Sequence, residues 1–69
     1  MNSAERRNRL INILEKSRNP IKGNELSKDL SVSRQVIVQD IALIRAKGFY
    51  IIATPQGYIM NNQGKVIES

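Results

Sequence analysis

Apolar residues recur along most of this chain with the spacing of a helix face, and the period shortens only after Gly48. From Ser3 to Ser17, Leu10, Ile11 and Leu14 fall on one side among Arg, Asn, Glu and Lys, which predicts an amphipathic helix. Asn2 with Glu5 three residues later can cap its start, and Asn19-Pro20 should end it, because the residue before proline is pushed out of the helical region. Ile21 then reads as a short buried tether. A second helix follows, capped by Gly23-Asn24 and carrying Leu26 and Leu30 four apart. Ser31-Val32-Ser33 breaks the pattern as a tight turn, with Ser33 suited to accept a hydrogen bond from an N–H of the next helix.

The third helix, from Arg34 to Lys47, has the clearest periodicity. Ile41 and Ile44 lie within about 40° of Ile37 at 100° per residue, while Gln35, Gln39, Ala42 and Ala46 gather about the opposite pole. Gly48 suits the position just past its end. Beyond it, Phe49 to Thr54 and Tyr58 to Met60 are β-branched and aromatic runs separated by Pro55-Gln56-Gly57, which predicts a hairpin. Asn61 to Ser69 is weakly patterned, although Lys65-Val66-Ile67 after Gly64 can form an edge strand or begin a linker. Helix, helix, short turn, helix and hairpin in this order give an α+β fold: a winged helix-turn-helix of three helices and a C-terminal β-hairpin wing. The expected organisation is a winged domain over residues 1–61, with 62–69 as a tail or linker to a ligand-sensing domain absent here.

Composition narrows the chemistry. Sixty-nine residues allow one core. With no cysteine and no histidine, the chain lacks a disulfide framework, a thiolate site and the commonest general base. No carboxylate pair, glycine-rich phosphate loop or nucleophile–base pair is visible, so the expectation is a non-enzyme without a cofactor of its own. Eleven Lys and Arg against six Asp and Glu give a net charge of +5, which points to an anionic partner. No run approaches the ~20 apolar residues of a membrane span, and the expected location is the cytoplasm.

Double-stranded DNA is the partner this arrangement suits, because a helix fits the major groove and the third helix would present its N-terminal half outward. Ser33 and the adjacent N–H groups can bind a phosphate, and Arg34 a phosphate or a guanine. Gln35 and Gln39 are candidates for bidentate contact with adenine, and Val36 and Val38 for contact with thymine methyl groups, which implies an A·T-rich component in the target. The same glutamines also fit an ordinary solvated face, and Val36 with Leu43 fits a side stripe packed on the first helix or on a partner. Lys22 and the Gly23 backbone lie where the second helix begins and can hold a phosphate, and Gln56 at the hairpin tip can touch the backbone or minor groove. Arg6, Arg7 and Arg9 read as a solvated face able to steer the domain to DNA, and Arg45 and Lys47 as complements to the helix dipole. Asp40 is expected to pair with a base such as Arg34 or Lys47, or to cap a neighbouring helix.

Val32-Ser33-Arg34-Gln35-Val36-Ile37-Val38-Gln39-Asp40-Ile41, then Gly48 and Ile52-Ala53-Thr54-Pro55-Gln56-Gly57-Tyr58, resembles the helix-turn-helix class of the biotin-operon repressors and related regulators. Within that class the chain is most similar to the N-terminal DNA-binding domain of the niacin-responsive transcription repressors of Gram-positive bacteria. The resemblance runs from Ile11 to Met60. It implies a repressor of NAD biosynthesis and nicotinic acid uptake genes, acting as a homodimer with nicotinic acid as corepressor. It also implies that the metal and nicotinic acid are held by a following domain named for its three histidines, so that nothing in this chain binds nicotinic acid. Two other readings of the fold are a protein-interaction module docking through Val36, Val38 and Leu43, and the regulatory domain of a biotin ligase-like enzyme.

Overall fold

The computed structural model describes residues 2–60, and the expectations placed on Asn61 to Ser69, the tail boundary included, lie outside the described residues. Helix α1 spans Ser3–Lys16, α2 Gly23–Leu30 and α3 Arg34–Ala46, followed by strands β1 (Ile51–Thr54) and β2 (Gly57–Met60). The winged helix-turn-helix expected from the sequence is the fold observed.

Local chemistry sets the ends of these elements. The Glu5 N–H donates to Asn2 Oδ1 at 2.8 Å and the Asn2 N–H to Glu5 Oε1 at 3.3 Å, a complete capping box at the start of α1. This helix stops at Lys16, short of Asn19-Pro20, because Ser17 leaves the helical region and its hydroxyl donates to the Asn19 carbonyl at 2.6 Å. The second helix ends at Ser31, which takes a left-handed conformation (φ 58°) and lets the Val32 N–H reach back to the Ser27 carbonyl at 3.0 Å. Two residues later Ser33 caps α3, accepting the Val36 N–H on Oγ at 3.3 Å. The left-handed serine and the capping serine together make the short turn between α2 and α3.

One expected cap is absent. Lys22, not Gly23 or Asn24, occupies the cap position of α2, and it makes no side-chain capping bond. Gly23 is instead the first helical residue and is buried.

The core takes side chains from every element: Leu10 and Leu14, Leu26 and Leu30, Ile37, Ile41 and Ile44, Ile51 and Met60. Burying each fully is worth about 1.5–3 kcal/mol, and α3 lies at the centre, packed on both other helices. Ile11, Ile13, Val32 and Phe49 close its rim. The hairpin pairs Ile51 with Met60 and Thr54 with Gly57, joined by the two-residue connection Pro55-Gln56. Phe49 and Tyr50, expected within the first strand, precede it, and Tyr50 is exposed. Ile21 exchanges both backbone bonds with Tyr58, at 2.9 and 2.8 Å, so the predicted tether is a third, one-residue rung on the wing.

Candidate nucleic-acid interface

Gly57 locks the wing against the start of α2. Its φ of 137° is open to few residues other than glycine, and a β-carbon there would stand 2.5 Å from the Ile21 carbonyl carbon and oxygen and 2.7 Å from the Lys22 nitrogen. The backbones can touch only because nothing intervenes. Thr54 steadies the turn from the other side, its hydroxyl donating to the Gly57 carbonyl at 2.8 Å while accepting the Gln56 N–H at 3.1 Å.

This close approach draws three separate segments to one edge. A β-carbon on Gly23 would meet Arg34 Nε at 3.3 Å and Tyr58 Cε2 at 3.5 Å, so the Arg34 side chain and the Tyr58 ring roof the first residue of α2. Lys22, exposed and uncapped, adjoins them. Thus the structure gathers Lys22, Gly23 and Arg34 from the predicted set, with Gly23 beneath the surface. Tyr58 joins them without having been expected to. Its position after a glycine that must contact Ile21 is the signal in the sequence, visible only once the wing is known to fold back.

Along α3 the outward pole is as expected. Gln35, Gln39, Ala42 and Ala46 are exposed, and Val38 keeps 44% of its surface beside them. Val36 is half-buried while Leu43, one side stripe with it in the sequence, is 49% exposed, so that stripe is not closed by α1. Ser33 is exposed, and among the described residues its hydroxyl hydrogen donates to no partner, leaving it available to an anion. Gln56 is exposed at the wing tip.

Asp40 finds a basic partner, as expected, but on a different helix from those named. It pairs neither with Arg34 nor with Lys47 but with α1: Arg6 Nε donates to Oδ2 at 2.5 Å and Arg6 Nη2 to Oδ1 at 3.0 Å, and Arg7 Nη1 lies 3.7 Å from Oδ1. At 2% exposure Asp40 is a buried carboxylate held by a bidentate arginine. The hydrogen bond to Asp40 and its charge raise the Arg6 guanidinium above its ordinary range, outweighing the opposing effect of partial burial. For a base whose folded pKa is raised, the stabilisation is complete below the ordinary arginine range and lost only as pH climbs beyond it. Arg6 and Arg7 are therefore not the freely solvated face expected of them. Arg6 stands four and eight residues before Leu10 and Leu14, in line with the buried stripe of α1.

Three helices with a short turn between the second and third, followed by a hairpin whose second strand packs on the first helix and bridges to Ile21 ahead of the second, define a winged helix-turn-helix domain. The chain belongs to the HTH domain family, which it matches over residues 6–59. It is 54% identical over 56 residues to the probable transcription repressor NiaR of Thermotoga maritima and 55% identical over 56 residues to the transcription repressor NadR of Bacillus subtilis. Each match takes in 81% of this chain, which spans 32% and 31% of the length of those two relatives. The domain is thus of the type found in these repressors, as the run from Val32 to Ile41 and the Gly57-Tyr58 wing led one to expect.

Proposed function

We propose that this chain is the DNA-reading domain of a bacterial transcription repressor, in which α3 enters the major groove and Gln35, Gln39, Val36 and Val38 meet base edges. The observation that carries the reading is the outward pole of α3: uncharged, exposed, and bordered by Arg34 and Lys22 at the edge where α2, α3 and the wing converge. A helix face without charge suits base edges, whereas cations at its border suit phosphates. Ser33, Lys22, the start of α2 at Gly23, and Gln56 complete the backbone contacts. Arg34 serves phosphate or guanine.

The names of the two relatives support repression as the role, and the resemblance to niacin-responsive repressors supports NAD and niacin genes as the target. On this reading the chain is not an enzyme, holds no cofactor, works in the cytoplasm, and pairs with a second copy in the full repressor. Nicotinic acid would act through a region other than residues 1–69.

Titration of labelled duplexes at several salt concentrations tests this. Affinity should fall steeply with salt, log affinity dropping by about 0.9 per log unit of salt for each phosphate contact, and site selection should return an A·T-containing consensus. The exposed Val38 and Leu43 favour protein docking as the second reading. A flat salt response without sequence preference would decide for it.

A further inference from the structure

The cluster at the α1–α3 junction contains more positive charge than the fold uses. Asp40 brings one negative charge, and Arg6 engages both of its oxygens. Arg7 brings a second positive charge to 3.7 Å from the same carboxylate, outside hydrogen-bond reach, and makes no hydrogen bond among the described residues. Its side chain keeps 23% of its surface. The three groups sum to +1, and the excess sits on a guanidinium whose donors are unengaged.

The location of that excess is informative. Asp40 lies about 60° from the Ile37 line on α3, on the flank opposite Arg34, and it directly follows Gln39. A helix in the major groove runs between two phosphate ridges, and the Lys22–Gly23–Arg34 edge serves only one of them. We propose that Arg7 is a phosphate contact on the other ridge, with Asp40 as the positioning residue that holds it beside the reading helix. The inference rests on the DNA-binding reading above. It divides the two arginines by role: Arg6 neutralises Asp40, and Arg7 is held near it for a second anion.

The test is duplex titration of the 69-residue chain at 50–200 mM salt, comparing wild type with Arg7→Gln, Arg7→Lys, Lys16→Gln and Asp40→Asn. Arg7→Gln should lower the magnitude of the salt slope by about 0.9 and weaken matched and random duplexes alike, so that its deficit against wild type shrinks about threefold across that salt range. Arg7→Lys should retain the slope, and Lys16→Gln, on an exposed position of the same helix, should leave it unchanged. Removing a negative charge near DNA strengthens binding on Coulomb's law alone, so weaker binding by Asp40→Asn supports positioning and tighter binding overturns it. The Arg7 variants leave the Arg6–Asp40 pair intact, so the deciding comparison does not depend on a weakened fold. A steep wild-type slope that Arg7→Gln leaves untouched overturns the proposal, whereas a flat wild-type slope overturns the DNA reading itself.

Discussion

Gly57 and Gly48 both have positive φ, 137° and 107°, yet the structure assigns them different costs on substitution. Gly48 has open space around its missing β-carbon, so Gly48→Ala should lose only the backbone strain of about 1 kcal/mol. Gly57→Ala adds a collision with the Ile21 and Lys22 backbone, which cannot swing aside as a side chain can, and should cost about 3 kcal/mol or more. Urea unfolding of both variants checks the order, and equal losses would mean that the wing does not press on Ile21. The sequence disclosed Gly57 as a turn glycine but not as a contact, because Ile21 lies 36 residues away and no local pattern carries that pairing. Which base pairs with Asp40 was hidden for the same reason. Its partner Arg6 is 34 residues distant, and an arginine on a helix's apolar stripe passes for surface until the carboxylate opposite is seen.

At the scale of elements, a helix was most legible where side chains within one turn decide its ends. The capping box of α1, the Ser33 cap of α3 and the isoleucine stripe all follow from spacing. Ser33→Ala should accordingly cost about 1 kcal/mol in an unfolding experiment, and Ile37→Ala about 2–5 kcal/mol because it empties a fully buried site. Gln35→Ala and Gln39→Ala should leave stability within about 0.5 kcal/mol while relaxing base preference by about 1–3 kcal/mol per lost bidentate contact. The start of α2 was less legible, since its cap position holds a lysine that caps nothing. Stability alone favours aspartate there. Lys22→Asp should therefore raise stability by about 0.5–1 kcal/mol and yet weaken duplex binding, since it supplies a cap and removes a phosphate contact at one stroke. A variant more stable and equally tight on DNA would show that Lys22 has no part in the interface.

For the whole molecule, the proposed DNA reading gives one recognition helix on a domain of net charge +5, which suits engagement of a single half-site of duplex. The two repressors it resembles are about two and a half times its length, and the proposed pairing of two copies would bring two such domains onto one operator. A second domain held at fixed distance binds as an intramolecular step, with no new contact needed. Fusing this chain to a two-stranded coiled coil through a short, stiff linker should then raise affinity by about 10²–10⁴ for a duplex carrying two half-sites, provided their centres lie on the same side of the helix, about 10 base pairs or a multiple apart. The same fusion on a duplex with a single half-site should gain little beyond non-specific attraction, and shifting one half-site by about five base pairs should erase most of the gain, because the two recognition helices would then face opposite sides of the DNA. Spacing dependence separates this from charge accumulation. A dimer that merely doubles the positive charge binds tighter at every spacing and loses that advantage as salt rises, whereas one that places two α3 helices in successive major grooves keeps its preference for the in-phase duplex at high salt.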